Sequence, residues 1–231
     1  MDAQRLESFI DKMKHTLLAE LELESVDPGN PIHVKAMPKE WKLLGAGNYA
    51  SVFYHPDDAD IAVKVYAPGR EGWVSECEVY RRIGDHPSYS TCYHAGEHEG
   101  HYYLILRRLQ GKTLYNCVLE GITIPKSVID DIDQALDYAR SQGLFPHDVH
   151  GKNVMVADGK GIVVDISDFL KEEPCAMWDD LKKAYNRIYM PFLSKHTVAI
   201  PEWVMNSVRK GYRWMKHSPL GGRSSQGISK S

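Results

Sequence analysis

Apolar side chains at Leu6, Ile10, Met13, Leu17 and Leu21 fall three or four residues apart, so residues 2–25 carry one apolar stripe along a helix. The run Asp27-Pro28-Gly29-Asn30-Pro31 stops it. Such a helix packs on the outside of the next element or docks a partner. Residues 41–66 change period and read as three strands. Trp41-Lys42-Leu43-Leu44 ends at the turn Gly45-Ala46-Gly47, Ser51-Val52-Phe53-Tyr54 returns, and a turn at 56–60 leads into Ile61-Ala62-Val63-Lys64-Val65-Tyr66. A helix follows over 72–83, with Val74, Cys77, Tyr80 and Ile83 on adjacent turns, and two further strands are expected at 90–94 and 101–106.

After Gly111 the pattern turns mainly helical. Pro125 opens a run in which Val128, Ile132, Leu136 and Ala139 repeat at helical spacing, and Gly143 is placed to end it. Val154-Met155-Val156, the turn Asp158-Gly159 and Ile162-Val163-Val164 form a hairpin signal. Helical stretches over 177–192 and 202–217 close the chain. The order predicts an α+β, bilobal fold rather than a doubly wound sheet. Residues 1–110 would hold the N-terminal helix and an antiparallel-sheet lobe, and 111–217 a short, mainly helical lobe. The Gly- and Ser-rich residues 218–231 have little to bury and are expected to be a disordered tail.

Charge narrows the partners. The net charge of −3 supplies no global field for nucleic acid or an anionic membrane. From Pro201 onward six basic residues, Arg209, Lys210, Arg213, Lys216, Arg223 and Lys230, face only Glu202. No aromatic–basic sheet motif accompanies them, so a solvated tail is the expectation and no clear nucleic-acid site is identified, although the basic C-terminal region leaves contact with nucleic acid open. Cys77, Cys92, Cys117 and Cys175 show no paired spacing, no leader pattern is seen, and no apolar run nears the roughly 20 residues that cross a bilayer. A reducing, cytoplasmic setting is the expectation, with no membrane partner.

Three groups of residues carry candidate chemistry. In the first, Gly45-Ala46-Gly47-Asn48-Tyr49-Ala50-Ser51-Val52, glycines between two strands let backbone N–H groups approach an anion that a Cβ would hold away. A plain tight turn explains the same glycines. In the second, Lys64 lies between Val63 and Val65, so it faces either solvent or a phosphate. Glu76, 12 residues later, is the candidate partner that fixes Lys64, with Glu78 competing and a surface glutamate the plainer reading. A buried pair of this kind is costly to desolvate and makes sense where phosphate contacts offset the cost.

The third group is Phe145-Pro146-His147-Asp148-Val149-His150-Gly151-Lys152-Asn153, followed by the hairpin and Asp165. A carboxylate and an amide in one loop, with a second carboxylate at the hairpin's end, suit Mg²⁺ held by few protein oxygens plus substrate phosphates. Asp148 remains to orient a hydroxyl and take its proton, and Lys152 to neutralise a transferring phosphoryl group. His147, His150 and Asp148 would alternatively suggest zinc, but no further soft ligand follows at a useful spacing.

Taken in order, these residues resemble the protein kinase superfamily in its small atypical form: the loop Gly45 to Val52, the strand Ala62-Val63-Lys64, Glu76, Gly111 after a hinge, and the loop with Asp148 and Asn153. The resemblance implies ATP and Mg²⁺ as cofactors. It implies that Gly45, Gly47, Val52, Ala62, Leu106 and the hinge Arg107-Arg108-Leu109 receive the nucleotide, that Lys64 held by Glu76 meets its phosphates, and that Asn153 and Asp165 bind the metal. Asp148 would be the catalytic base. Departures are visible. Ala50 replaces the third glycine, Pro146 and His147 stand before Asp148, and His150 occupies a place where protein kinases usually carry lysine. Ile166-Ser167 follow Asp165, and Asp168-Phe169 offers a competing placement of the metal-binding aspartate. A long activation segment is absent before Trp178-Asp179-Asp180-Leu181, where Asp180 or Asp179 would brace the catalytic loop. This shortening is similar to RIO-type and other minimal bacterial or archaeal kinases.

The expected activity is transfer of a phosphoryl group from ATP to a protein Ser or Thr, including the chain's own hydroxyl-rich tail. Phosphorylation of a small molecule or saccharide, which His150 and the reduced peptide platform favour, and nucleotide binding without transfer are the alternatives.

Overall fold

The computed structural model describes residues 1–27, 29–193, 199–207 and 210 of the 231. The expected tail over 218–231, most of its basic residues and much of the helix expected over 202–217 lie outside the described residues; within them, 202–207 are helical.

The N-terminal stripe forms helix α1 (Ala3–Met13), capped by the Asp2 carboxylate accepting from the Arg5 N–H, and continues through a wider helical segment, Lys14–Leu18. It stops earlier than expected. Glu22–Glu24 is strand β1, paired antiparallel with β2 (His33–Ala36). Leu21 and Leu23 alternate with glutamates, and strand pairing wins over a helical stripe that Leu21 alone extended.

Five strands then form one antiparallel sheet in the order β3 (Lys42–Ala46), β4 (Ala50–Tyr54), β5 (Ile61–Tyr66), β7 (His101–Arg107), β6 (Cys92–His98). Its two faces follow from the period of two in β5. Ile61, Val63 and Val65 face Phe9, Met13, Leu17, Trp41 and Phe53, so the N-terminal helix covers this outer face as part of a core. Tyr66 belongs to the other face, together with Ala50, Leu104 and Leu106, and packs into a second core with helix α2 (Trp73–Ile83). On α2 the buried positions are Glu76, Val79, Tyr80 and Ile83, while Val74 is exposed. The expected face through Val74 is therefore displaced toward the one that aims Glu76 inward.

The second core continues without a break into the C-terminal half. It takes in α3 (Leu114–Glu120), which the sequence reading missed, α4 (Lys126–Ser141), the hairpin β9 (Val154–Ala157) and β10 (Lys160–Val163), and α5 (Met177–Ala184). Strand β8 (Lys112–Thr113) adds to the hairpin as a third strand. The sheet, and not the boundary between halves, thus separates the two cores. A Cβ on Gly111 would lie 2.3 Å from the Val156 carbonyl oxygen, so only glycine lets the chain leave β7 this close to the hairpin. The fold is α+β with a protein-kinase-like order of elements, as expected.

α5 is pinned beneath the loop that precedes the hairpin. Trp178 Nε1 and Lys182 Nζ both donate to Asp133 Oδ1 on α4, at 2.7 and 2.8 Å. Among the described residues no helix is long and apolar enough to cross a membrane. None of the four cysteines is disulfide-bonded.

Candidate active site

Lys64 sits on the inner face of β5 because Val63 and Val65 take the outer one. Its ammonium donates to both carboxylate oxygens of Glu76, at 2.8 and 2.6 Å, and lies 3.9 Å from Asp165 Oδ1. Glu76 is 1% exposed, which disposes of a surface role, and Glu78 instead pairs with Arg81 and Arg82 on the outer side of α2. Burial works against the charge on Lys64, but Glu76 and Asp165 outweigh it and hold its pKa above the ordinary lysine value. Burial also raises Glu76, against the pull of Lys64. A third partner was not anticipated: the Tyr66 hydroxyl donates to Glu76 Oε2. Tyr66 lies two residues beyond Lys64, so the strand period alone places both on one side.

Gly45 and Gly47 flank the turn between β3 and β4. The Gly47 N–H donates to the Ala50 carbonyl at 2.9 Å, and the Ala67 N–H to Tyr49 at 3.0 Å, so the turn is tied to the end of β5. A Cβ at Gly45 would meet nothing within 4 Å, and one at Gly47 only the Ala50 carbonyl oxygen at 3.8 Å. Neither glycine has a left-handed φ. Protein packing and turn geometry therefore do not require them, and open space lies beside them. Val52 pairs with Lys64 and Ala62 with Leu106, which puts all four side chains on the inner face.

At the chain's exit from β7, the Arg107 N–H donates to the Thr91 carbonyl at 2.8 Å, while the Ser90 hydroxyl donates to the Arg107 carbonyl at 2.7 Å. The Arg108 N–H donates to Asp60 at 2.8 Å. Among the described residues no protein acceptor meets the Leu109 N–H.

The loop between α4 and β9 brings the third group together. Asp148 has φ of +56°, a left-handed backbone that is uncommon outside glycine and clusters at functional sites. The Asn153 amide nitrogen donates to the Asp148 carbonyl at 3.0 Å, bracing this turn from within. Asn153 also accepts, through its backbone carbonyl, from the Val164 N–H at 2.9 Å, which fixes the loop against the strand that delivers Asp165. Burial raises the pKa of Asp148, assisted by Asp168 and Asp165 and opposed by His150, whose Nε2 is 3.9 Å away. Asp165 is displaced the other way. Burial would raise it, but Lys64 and the Ser167 N–H, which donates to Oδ1 at 3.1 Å, keep it below the ordinary carboxylate value.

Asp168, the competing aspartate, has Lys171 Nζ at 3.0 Å and His147 Nδ1 at 4.0 Å. The Lys152 ammonium sits over the Tyr115 ring, 4.5 Å from its centre, at the start of α3. A Cβ on Gly151 would lie 3.7 Å from Leu181 Cδ1, so α5 does pack against this loop. Asp180 pairs with Lys183 at 3.1 Å. Among the described residues no three His, Cys, Asp or Glu side chains cluster to hold a metal ion, and the zinc alternative with His147 and His150 is not assembled.

An antiparallel sheet whose lysine is held by a helix glutamate, opposite a left-handed aspartate and a hairpin aspartate, defines a protein-kinase-like phosphotransferase. Comparison with known proteins agrees. Over 159 residues the chain is 31% identical to "Putative serine/threonine-protein kinase YrzF" of Bacillus subtilis (strain 168), covering 68% of this chain and 72% of that protein. It is 24% identical over 131 residues to the serine/threonine-protein kinase PrkC of the same organism, and 25% identical over 140 residues to ribosomal protein S6 kinase alpha-2 of Mus musculus. Those matches span 50% and 58% of this chain but only 20% and 19% of the relatives. No family model matches. The chain belongs to the protein kinase superfamily and is a phosphotransferase of the serine/threonine type.

Proposed function

We propose that the chain transfers the γ-phosphoryl group of ATP, with Mg²⁺, to a Ser or Thr hydroxyl of a protein, itself included. The observation that carries this is the convergence on one ammonium, Lys64, of carboxylates from α2 and from the end of the hairpin. In this reading the nucleotide lies between a lobe of residues 1–110 and a lobe of residues 111–217. The adenine enters between Val52, Ala62 and Leu106, and its edge meets the Arg107 carbonyl and the Leu109 N–H. The phosphates pass beneath Gly45 and Gly47, where no side chain stands in the way, and reach Lys64.

The residues present fit a magnesium ion. With its nitrogen committed to the Asp148 carbonyl, Asn153 offers Oδ1, and Asp165 offers the oxygen not accepting from Ser167. These are hard oxygen donors, one of them an anion at neutral pH despite burial. When bound, the ion supplies positive charge against the phosphate oxygens. Asp148 orients the acceptor hydroxyl and takes its proton as that oxygen bonds to the γ-phosphorus. The bond from phosphorus to the bridging oxygen breaks, and ADP leaves with the electron pair. Lys152 offsets charge on the transferring group.

The names of the relatives support a protein acceptor over a small molecule. Incubation with γ-labelled ATP, Mg²⁺ and a general protein acceptor tests the reading. Label should appear on Ser or Thr in the wild type and fall at least about 100-fold in Asp148→Asn. Equal labelling by both proteins overturns it, and transfer confined to small hydroxyl compounds would redirect it to a metabolite kinase.

A further inference from the structure

Among the polar groups around Lys64, Tyr66 has no place in the reading above, yet it reaches Glu76 from the same strand as Lys64. We infer that Tyr66 is a positioning residue: its hydroxyl holds the Glu76 carboxylate in the orientation that presents Lys64 to the nucleotide, and it links that pair to the glycine-rich turn. This rests on the proposed role of Lys64 and Glu76 in nucleotide binding.

Tyr66 is 3% exposed, and its hydroxyl donates to Glu76 Oε2, the oxygen that also accepts from Lys64 at 2.6 Å. The carboxylate therefore takes donors from two side chains of the same strand. Two donors on one carboxylate fix both its position and its plane, whereas Lys64 alone, on a flexible four-carbon stem, leaves the plane free to follow the ammonium. The Tyr66 ring also lies near the ammonium, with Lys64 Nζ 5.7 Å from its centre.

The backbone of Tyr66 carries the link onward. Tyr66 pairs with Ala50 across β4 and β5, and the next residue, Ala67, donates to the Tyr49 carbonyl at 3.0 Å. A shift of Tyr66 therefore reaches both ends of the nucleotide's phosphate path, the turn above and Lys64 below. Burial and the adjacent Glu76 raise the hydroxyl's pKa far beyond the physiological range, so it stays a donor to the carboxylate at all working pH values.

The test compares Tyr66→Phe, Glu76→Gln and the double variant with wild type, reading kcat and KM for ATP and, without turnover, the Kd for a fluorescent ATP analogue. Tyr66→Phe keeps the ring and removes only the hydroxyl. It should lower kcat/KM by about tenfold, the size of one hydrogen bond to a charged group, with the melting temperature close to wild type. In the Glu76→Gln background, where the hydroxyl meets a neutral amide oxygen and Lys64 has lost its carboxylate partner, the same change should cost less than about twofold, because the hydroxyl acts by orienting the carboxylate. Equal losses in both backgrounds, or no loss in either, overturn the inference. If Glu76→Gln turns over too slowly to measure, the analogue Kd supplies the same cycle. If Lys64→Ala and Glu76→Gln leave ATP binding and transfer unchanged, the underlying nucleotide reading fails. If they abolish transfer while Tyr66→Phe is silent, only the role of Tyr66 fails.

Discussion

Replacing Glu76 by alanine removes the acceptor of two buried donors at once. The Lys64 side chain is 13% exposed, and after the change its nearest carboxylate is Asp165 at 3.9 Å; the Tyr66 hydroxyl loses its acceptor entirely. Breaking a buried ion pair from one side costs about 3–5 kcal/mol. Asp165 is near enough to recover part of the Coulomb energy, which places the expectation at about 3 kcal/mol. With a urea m-value of about 2–3 kcal/mol/M, the unfolding midpoint followed by tryptophan fluorescence should fall by about 1 M. The pH dependence has a definite sign. The carboxylates raise Lys64 above its unfolded value, so the pair's contribution is complete below that value and is lost as pH rises through the higher folded one. The gap between wild type and Glu76→Ala should hold from pH 7 to about 10 and close above. A variant within about 0.5 kcal/mol of wild type at pH 7 would show that Glu76 and Lys64 are not paired in a buried site.

Met13→Ala, at a position with no exposed surface beneath the N-terminal helix, should cost about 2–5 kcal/mol in urea unfolding; a neutral result would mean that this helix does not cover the sheet. Gly47→Ala should leave stability unchanged or raise it by up to about 1 kcal/mol, since its Cβ has room, yet raise KM for ATP several-fold. Unchanged ATP kinetics would contradict a phosphate path at this turn. Burial pushes the thiols of Cys77 and Cys92 up to about 11 and about 12, so at pH 8 alkylation of Cys77 by iodoacetamide should run about 100-fold slower than in the urea-unfolded chain; equal rates, resolved by peptide mass spectrometry, would refute that burial.

The sheet was legible from sequence because β5 reports its two faces directly: Ile61, Val63 and Val65 on one, Ala62 and Lys64 on the other. The alternation that left Lys64 open to a solvent reading is the same one that turns it inward once helix α2 closes that face. Shorter elements were not legible. Strands β1 and β2 are held by pairing with each other, and α3 is a helix of under two turns whose Thr113 cap is a signal only beside the β8 pairing. In the site, Lys64, Glu76, Asp148, Asn153 and Asp165 were nameable because their order along the chain resembles that of the family, although they lie on β5, on α2, in the α4–β9 loop and after β10. Tyr66, Ser90 and Tyr115 act across elements, and only three-dimensional packing brings them to Glu76, the Arg107 carbonyl and Lys152. The two aspartates that compete in sequence differ in their neighbours, Asp165 lying 3.9 Å from Lys64 and Asp168 3.0 Å from Lys171, a difference that spacing along the chain does not carry.

The central claim, phosphoryl transfer centred on Asp148, is tested most directly by following the γ-phosphate of labelled ATP with Mg²⁺ in wild type and Asp148→Asn side by side. The account predicts label on Ser or Thr in the wild type, with transfer reduced at least about 100-fold in a variant that still binds the nucleotide. Equal transfer by the two proteins, at matched nucleotide occupancy, would contradict it.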